Sequence, residues 1–243
     1  MKILITGASS GLGAELARQY ASLENELILL ARREDRLLEL RKELYESVKN
    51  IDIIVADVTD FKTLQEKIKT IGFVDILILN AGVATGGSSD IPTIESFKNI
   101  YDVNVLSNHA ILEVLLPVFC EVGRGKIVFM SSLASLISMP SSELYSSSKR
   151  ALNAYAEGIR YKYKAYGIKV ITILPGFIKS EMTDQNEFKM PFIYSTQEGV
   201  SKIKNAIEKN REFYAFPLKL YYFIRFVNFL PALLREKILL LFR

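Results

Sequence analysis

The chain contains very little cysteine or histidine. Its 243 residues include one of each, Cys120 and His109. A single cysteine can form no intramolecular disulfide, so we expect a reducing, cytoplasmic setting. One cysteine and one histidine also cannot supply the ligand set of a structural zinc site, so we expect no metal centre. Strand-forming residues follow Met1 at once, and we therefore expect no secretory signal peptide.

The chain also lacks internal repeats, low-complexity tracts and any excess of charge outside its C-terminal end. Apolar residues make up 49% and charged residues 24%, proportions typical of a globular protein. The formal net charge of +4 is concentrated at residues 211–243, which hold six Lys/Arg against two Asp/Glu, whereas the other 210 residues hold 25 of each. A neutral body of this length predicts one large α/β domain and no nucleic-acid partner.

The stretch TGASSGLG at residues 6–13 predicts a phosphate-binding turn. It follows the apolar residues 2–5 and opens a helical pattern, whose free N–H groups would face an anion. Gly7 permits a tight turn out of a strand, Gly11 lets the backbone approach a pyrophosphate, and Gly13 lets the helix pack closely on the sheet. The alternative is an ordinary strand-to-helix turn, since glycine-rich strings are common. The predicted cofactor-binding residues of this turn also include Ser9, Ser10 and Leu12.

Two arginines, Arg32 and Arg33, directly follow the second predicted strand, residues 26–31. The carboxyl end of that strand meets the ribose of the dinucleotide in a doubly wound fold. A carboxylate there would bind the 2′-hydroxyl of NAD, whereas a guanidinium can hold a 2′-phosphate. The sequence therefore predicts NADP, with Arg32 as the first choice of the two. The alternative is that both arginines are solvated or cap a helix end.

The third and fourth predicted strands, residues 51–56 and 73–79, also end in residues that suit a nucleotide site. The third is followed by Asp57 and Val58, of which Asp57 either meets the adenine or is a turn residue. The fourth is followed by a tripeptide in which the glycine permits close approach of the cofactor or an unusual backbone angle. This tripeptide is Asn80, Ala81 and Gly82.

A long helix is predicted over residues 93–121, with Asn104 in its interior. Asparagine is a poor residue inside a helix, so a buried one should have a hydrogen-bonding role. His109 lies on the same predicted helix without a partner motif, and we assign it no role.

Tyr145 and Lys149 are four residues apart on the helix predicted to follow the strand at residues 126–130, so both face the same side. Tyr45 and Lys49 have the same spacing, in a helix predicted after the second strand and away from the expected site. Position distinguishes the first pair, because it follows Ser132 at the carboxyl edge of the sheet, where doubly wound folds bind ligands. A free phenol has a pKa of about 10, and we expect the neighbouring ammonium to lower it.

The sixth predicted strand, residues 169–174, ends in Pro175 and Gly176. Residues 177–194 then show mixed polarity without a clear period, and we interpret them as a lid. A helix over 196–209 and a last strand over 213–216 are predicted to follow. Apolar lid residues would keep water from the nicotinamide whatever the substrate; they are Phe177, Phe188, Met190, Phe192 and Ile193.

In this order, the motifs resemble the short-chain dehydrogenase/reductase family over roughly residues 1–216. The matching pieces are TGASSGLG at 6–13, Asp57, NAG at 80–82, Asn104, Ser132, Tyr145 with Lys149, and PG at 175–176. The resemblance implies an α/β fold, a doubly wound parallel sheet (Rossmann fold) of about seven strands with helices on both faces. Residues 1–216 would form the dinucleotide-binding and catalytic domain, and residues 217–243 a C-terminal helical extension.

The resemblance also implies a catalytic set of Asn104, Ser132, Tyr145 and Lys149. The chemistry would be direct hydride transfer between the nicotinamide of NADP and a carbonyl or alcohol carbon. Tyr145 would exchange the proton, Ser132 would hold the substrate oxygen, and Lys149 would bind the nicotinamide ribose. Asn104 would anchor water in a proton relay behind the lysine.

Two positions depart from the family pattern. Ser10 stands where many NADP-using relatives carry a basic residue, so the prediction of NADP rests on Arg32 and Arg33 alone. Ser180 stands where threonine is common, and it still offers a hydroxyl to the carboxamide of nicotinamide. The resemblance also assigns residues of the catalytic helix and of the segment after the sixth strand to the cofactor site; they are Tyr145, Lys149, Pro175, Gly176, Ile178 and Ser180.

The last residues, 211–243, hold nine of the 26 Phe and Tyr of the chain. Their longest apolar run is six residues, 229–234, and contains Pro231, so it is far short of the ~20 residues that span a bilayer. Two short helices on either side of Pro231, with basic residues among the aromatics, fit a segment that lies on an anionic membrane surface. The alternative is a helix pair packed on the core or on another subunit.

Three functions are compatible with these patterns. The first is an NADPH-dependent reductase of apolar or lipid-like carbonyl compounds, cytoplasmic or peripheral on the inner face of a membrane. The second has the same chemistry on a soluble sugar or small ketone, and the third is a non-catalytic NADP-binding sensor or scaffold. The intact Asn–Ser–Tyr–Lys set argues against the third. We also expect a small-molecule substrate and a homo-oligomer.

Overall fold

The computed structural model describes residues 1–84, 91–138, 142–185 and 190–240. Within these residues, seven strands form a single parallel sheet. The strands are β1 (Lys2–Thr6), β2 (Glu26–Ala31), β3 (Asn50–Val55), β4 (Ile76–Leu79), β5 (Gly125–Met130), β6 (Ile168–Pro175) and β7 (Phe213–Phe216). Their order across the sheet is β3-β2-β1-β4-β5-β6-β7, so the direction of winding reverses between β1 and β4. This reversal is the topological switch point at which open α/β sheets bind ligands.

The same part of the chain forms nine α-helices. They are α1 (Gly11–Tyr20), α2 (Glu34–Leu44), α3 (Phe61–Lys69), α4 (Ile94–Tyr101), α5 (Ser107–Val122), α6 (Glu143–Tyr163), α7 (Thr196–Glu208), α8 (Leu218–Phe229) and α9 (Ala232–Leu240). Polar caps set several of their starts: Asp60 accepts a hydrogen bond from the backbone N–H of Thr63, and Ser195 forms a capping box with Glu198.

The central strands are buried on both faces, which explains their continuous apolar sequences. One face of the sheet packs on α1, α2 and α7, and the other packs on α3, α5 and α6. Each predicted strand is present, although the one predicted at 73–79 begins at Ile76. The doubly wound fold that the sequence predicts is therefore confirmed.

The predicted continuous helix over residues 93–121 is wrong in one respect. A π-helical turn, Asp102–Leu106, separates α4 from α5. Such a turn inserts an extra residue into a helix and is frequent at functional sites. Ile94–Val122 is also a helical stretch long and apolar enough to cross a membrane, but 56% of its most apolar window is buried inside the protein.

The C-terminal residues form two short helices, α8 and α9, on either side of Pro231, as the sequence predicts. One face of α8 is buried through Ile224 and Val227, which pack on Leu133, Leu174 and other residues of a third apolar cluster. Asn228 of α8 also donates a hydrogen bond of 2.7 Å to the carbonyl of Leu136. The extension therefore adjoins the segment that directly follows Ser132.

Candidate active site

The glycine turn between β1 and α1 is packed so closely that side chains would not fit. Gly7 has a φ of +66°, and a Cβ added there would lie 2.9 Å from the Cα of Ala81. A Cβ on Gly13 would lie 2.2 Å from the carbonyl oxygen of Gly7. Gly11 has a φ of +52°, and its added Cβ would meet Ser180 at 3.4 Å. The start of α1 thus rests directly on the turn, in the geometry that the sequence predicts for Gly7 and Gly13.

The hydroxyl of Thr6 joins the carboxyl ends of β1 and β4. It accepts hydrogen bonds of 2.9 Å from the backbone N–H groups of both Asn80 and Ala81. The side-chain amide of Asn80 returns a hydrogen bond of 3.0 Å to the carbonyl of Thr6. The two predicted cofactor segments therefore form one rigid unit at the switch point. Sequence reasoning assigned Thr6 no such role, although its place at the end of β1 was a usable signal.

The two arginines that follow β2 have different surroundings. Arg33 covers the glycine turn, since its Nε donates to the hydroxyl of Ser9 at 3.2 Å and an Nη donates to Ser10 at 2.5 Å. Arg32 points away, with a side chain that is 73% exposed and an ion pair of 3.8 Å to Asp57. The structure thus places Arg33, the second choice of the sequence analysis, against the predicted nucleotide turn.

Asp57 adopts the turn geometry that the sequence left open. Its carboxylate accepts hydrogen bonds from the backbone N–H of Thr59 at 2.9 Å and from the Thr59 hydroxyl at 2.7 Å. These bonds, the backbone one first, lower the pKa of Asp57. Val58 follows it and packs at the edge of the core.

The segment after β6 lies over the glycine turn between β1 and α1. The N–H of Gly176 donates to the carbonyl of Phe216 at 2.7 Å, and Ile178 is buried and forms a backbone bridge with Tyr194. Ser180 is held by Thr183, whose hydroxyl oxygen accepts from the Ser180 N–H at 2.8 Å. The backbone of residues 177–179 thus pairs with Tyr194 at the base of the predicted lid. Phe192 and Ile193 are exposed, and Phe188 lies outside the described residues.

Ser132, Tyr145 and Lys149 lie together at the carboxyl end of β5. Lys149 is only 3% exposed; its Nζ donates to the carbonyl of Met130 at 3.0 Å and lies 5.7 Å from the centre of the Tyr145 ring. The Ser132 hydroxyl is hydrogen-bonded to the Tyr145 phenol and also accepts a bond of 3.1 Å from the N–H of Ala134. The second pair of the same spacing is separate, because Tyr45 begins a 3₁₀ turn after α2 and Lys49 lies beyond it. The prediction that Tyr45 and Lys49 share a helix is therefore wrong.

Burial governs the protonation of this centre. It lowers the pKa of Lys149 from 10.5 to about 8, since the charged ammonium is removed from water. It also raises the pKa of Tyr145, and the hydrogen bond with Ser132 acts in the opposite direction. The expected lowering of the Tyr145 pKa by the lysine is thus not what the structure shows, because burial raises this pKa and the hydrogen bond with Ser132 only partly offsets the rise. A protonated phenol at neutral pH is suited to donate a proton.

Asn104 lies on the π-helical turn and is fully buried. Its side-chain oxygen accepts from the N–H of Val83 at 2.9 Å, and its side-chain nitrogen donates to the carbonyl of Val83 and to the hydroxyl of Ser148, both at 3.0 Å. The expected hydrogen-bonding role of this residue is confirmed. Ser148, which sequence reasoning missed, also donates to the carbonyl of Tyr145 at 2.9 Å. Asn104 thus links the loop after β4 to the turn of α6 that carries the tyrosine and the lysine.

A doubly wound sheet with a glycine turn at its switch point and a buried lysine beside a tyrosine at the same edge defines a dinucleotide-dependent oxidoreductase. A sequence model described as short chain dehydrogenase matches residues 1–190. The chain therefore belongs to the short-chain dehydrogenase family. It is an oxidoreductase that transfers hydride between a nicotinamide cofactor and the CH–OH carbon of a small-molecule substrate.

Relatives cover nearly all of the chain. A protein of Myxococcus xanthus described as an uncharacterized oxidoreductase is 34% identical over 234 residues, which are 94% of this chain and 92% of the relative. The 11-beta-hydroxysteroid dehydrogenase-like 2 of Arabidopsis thaliana is 37% identical over 215 residues, 84% of this chain and 68% of that protein. Among solved structures, a short-chain dehydrogenase from Sphingobium yanoikuyae in complex with NADPH is similar with a TM-score of 0.83 and 26% identity, covering 89% of this chain and 88% of that chain.

Proposed function

We propose that this protein is an NADP(H)-dependent reductase of carbonyl groups on apolar, lipid-like molecules. The observation that carries the proposal is the buried Lys149 next to Tyr145 and Ser132, at the sheet edge that also holds the glycine turn. A binding module without chemistry has no physical need for an ammonium that is removed from water next to a phenol.

The residues at the switch point fit a nicotinamide dinucleotide. The close packing of Gly7 and Gly13 leaves the backbone and the start of α1 to meet a pyrophosphate. A Cβ on Gly82 would lie 3.3 Å from both the Nζ of Lys149 and the Oδ1 of Asn104, so any larger residue would occupy the space beside the lysine. We infer NADP rather than NAD, because Arg32 and Arg33 follow β2 where NAD binding would use a carboxylate.

In the proposed reaction the chain's own residues hold the substrate oxygen and transfer one proton to it. Ser132 holds the substrate oxygen near Tyr145, to which it is already hydrogen-bonded. Tyr145 gives its phenolic proton to that oxygen, and its raised pKa keeps the proton available at neutral pH. Lys149 stands beside the phenol as a cation below pH about 8. When bound, the cofactor supplies the hydride.

The apolar surroundings of the centre support a lipid-like substrate. Leu133 and Ile137, which follow Ser132, belong to the apolar cluster that includes Ile224 and Val227 of α8. The name of the Arabidopsis thaliana relative, 11-beta-hydroxysteroid dehydrogenase-like 2, also refers to a hydroxysteroid, an apolar substrate class.

The exposed face of the C-terminal helices supports contact with an anionic membrane surface. Opposite the buried Ile224 and Val227, this face carries large apolar side chains, namely Leu218, Tyr222, Phe226, Phe229 and Leu233. Phe229 alone is 89% exposed. Exposed basic residues lie among them, namely Lys219, Arg225 and Lys237. Aromatic and basic side chains together are typical of segments that lie in a membrane interface.

We further propose that residues 1–216 form the catalytic body, that residues 217–243 rest on the inner face of a membrane, and that the chain acts in the cytoplasm as a homo-oligomer. The alternative function, reduction of a soluble sugar or small ketone, would make the exposed face of α8 a subunit contact instead.

The decisive experiment is NADPH consumption with carbonyl compounds of one chemical type and increasing chain length, with Tyr145→Phe as the blank. The expected result is a rise in kcat/KM with chain length, by about tenfold for each 1.4 kcal/mol of added apolar contact in the transition state. A flat response, or activity on short polar carbonyls alone, would favour the soluble substrate. No turnover above the blank with any carbonyl would favour a non-catalytic NADP-binding protein.

Flotation with phosphatidylserine vesicles tests the membrane contact. Replacing the exposed Tyr222, Phe226 and Phe229 together by serine should remove binding while the fold is kept, because none of the three is buried. The matched control replaces the exposed Tyr45, Tyr161 and Tyr166 by serine and should float like the wild type. Equal flotation of both triple variants would contradict the proposal. It would also be contradicted if the wild type bound vesicles of neutral lipid as well as it binds phosphatidylserine vesicles.

A further inference from the structure

A carboxylate lies between two arginines at the edge of the predicted nucleotide site. One oxygen of Glu181 is 3.1 Å from an Nη of Arg33, and the other oxygen pairs with Arg36 in a still closer contact. The hydrogen bonds from Arg36 and then Arg33 hold the pKa of Glu181 below its usual range. Glu181 is 148 residues from Arg33 in sequence, so this ion pair joins two distant parts of the fold.

The guanidinium of Arg33 is fixed in place by its other contacts. Its Nε and its second Nη donate to the hydroxyls of Ser9 and Ser10 in the glycine turn. The remaining Nη therefore faces away from the turn, toward the position that Glu181 now occupies. Arg36, one turn along α2, faces the same position. Two guanidinium groups that converge on one anion match the preference of arginine for phosphate as well as for carboxylate.

Glu181 brings its own segment of chain over the turn. The neighbouring Ser180 lies against Gly11, at 3.4 Å from an added Cβ. Thr183 fixes the backbone on both sides, since it accepts from the N–H of Ser180 at 2.8 Å and donates to the carbonyl of Ile178 at 3.0 Å. The ion pair with Arg33 and Arg36 therefore fastens residues 178–183 to the start of α2, beside the glycine turn.

We propose, resting on the NADP(H) dependence proposed above, that Arg33 and Arg36 together bind the 2′-phosphate and that Glu181 is an internal competitor for this site. In the free protein the Glu181 carboxylate stands where the phosphate would be. Binding of a dinucleotide that carries a 2′-phosphate exchanges one anion for the other and releases the segment after β6 from α2. A dinucleotide without this phosphate leaves the ion pair intact, so Glu181 weakens the binding of NADP(H) alone and thereby lowers the preference for NADP(H) over NAD.

The exchange is physically reasonable because the three partners are partly exposed. The side chains of Arg33, Arg36 and Glu181 are 37%, 42% and 51% exposed, so solvent weakens the pairs that must break. A phosphate carries more charge than a carboxylate and offers three acceptor oxygens. It can therefore pair with both guanidinium groups at least as well as Glu181 does.

Calorimetric titration with two nucleotide fragments tests the proposal. Adenosine 2′,5′-bisphosphate carries the 2′-phosphate and adenosine 5′-monophosphate does not. Glu181→Gln keeps the shape of the side chain and removes its charge, and it should lower the Kd of the bisphosphate by about fivefold while changing that of the monophosphate by less than about twofold. Arg36→Gln should raise the Kd of the bisphosphate by about tenfold without affecting the monophosphate.

Glu208→Gln is the matched control. It removes the same charge from an exposed carboxylate that pairs with Lys204 at 3.7 Å on α7, and it should change neither Kd. Equal tightening of the bisphosphate in Glu181→Gln and Glu208→Gln would show an effect of net charge and overturn the proposal. Weaker bisphosphate binding in Glu181→Gln would overturn it too, because Glu181 would then support the arginines rather than compete for them.

Hydrogen exchange gives a second readout. Adenosine 2′,5′-bisphosphate should displace Glu181 from the two arginines. Because it lacks the nicotinamide, it offers the released segment no new contact, and amide exchange at residues 180–184 of the wild type should rise. In Glu181→Gln this exchange should already be fast and should not rise further. Unchanged exchange in both proteins would contradict the release of the segment. If the wild type binds both fragments equally well, the proposed dependence on NADP(H) is contradicted. If the wild type prefers the bisphosphate but Glu181→Gln does not behave as predicted, only the role of Glu181 is contradicted.

Discussion

The chain carries the spacing Tyr-x-x-x-Lys twice, and the two pairs have opposite surroundings. Tyr145 and Lys149 lie on one helix beside Ser132, and Lys149 is 3% exposed. Tyr45 is 66% exposed, and Lys49 is 62% exposed and forms an ion pair with Glu26. The spacing is the same, but in the first pair burial raises the pKa of Tyr145 and lowers that of Lys149. Removal from water, rather than spacing, makes a phenol and an ammonium into a candidate catalytic pair.

The largest expected difference between the two pairs is in catalysis. Tyr145→Phe removes only the phenolic oxygen and should reduce kcat by about 10²–10⁴-fold, the usual contribution of a positioned proton donor. Tyr45→Phe removes the same atom from an exposed ring and should leave kcat unchanged. The measurement is NADPH consumption with the best carbonyl substrate of the chain-length series. Equal rates for the two variants would end the distinction.

The second difference is in the pH dependence of stability. Lys149 has a pKa of about 8 in the folded protein against an ordinary 10.5, so between these values the unfolded chain holds this proton more tightly. The free energy of unfolding of the wild type should therefore rise with pH in this range, by up to about 3 kcal/mol from this group, and the penalty is fully present below pH 8.

Lys149→Met removes this contribution. The difference in free energy of unfolding between variant and wild type, from urea titrations at pH 7, 8, 9 and 10, should shift against the variant as the pH rises. Lys49→Met is the control, and its difference from the wild type should be flat over the same range. A flat difference for Lys149→Met would mean that folding does not lower the pKa of Lys149.

The third prediction concerns Asn104, which supports the turn of α6 that carries Tyr145 and Lys149. Asn104→Ala would leave the N–H and C=O of Val83 and the hydroxyl of Ser148 without their partner, and we expect a loss of about 2–4 kcal/mol in the free energy of unfolding. Asn205→Ala, at an exposed position of α7, should change it by less than about 0.5 kcal/mol. Urea unfolding at neutral pH measures both. A loss as small as that of the control would show that the Asn104 amide does not support the Tyr145–Lys149 pair.

The sequence was sufficient for the sheet because its signals are local. Continuous apolar runs such as ELILLA at Glu26–Ala31 match strands that are buried on both faces. The order of the motifs along the chain then placed Ser132 and the Tyr145–Lys149 pair at one edge. Strand ends at the switch point converge in any doubly wound fold, so no side-chain contact had to be known.

What the sequence could not predict depends on contacts between distant residues. No periodicity connects Glu181 to Arg33, and nothing in the string Arg32-Arg33 shows which guanidinium faces the glycine turn. The direction of the Tyr145 pKa shift was also wrong, since a nearby cation was visible in the sequence but the extent of burial was not. The apolar periodicity of residues 93–121 likewise concealed the extra residue at Asp102–Leu106.

The π-helical turn makes the number of residues between α4 and α5 a functional quantity. Each residue of a regular α-helix advances the side chains by about 100° around the axis. Deleting one residue from Asp102–Leu106 would convert the π-helical turn into a regular α-helical turn, and the residues that remain in it would change their positions around the axis. Asn104 lies within this turn and would be displaced from Val83 and Ser148. Length at this point of the chain is therefore constrained as strictly as residue type.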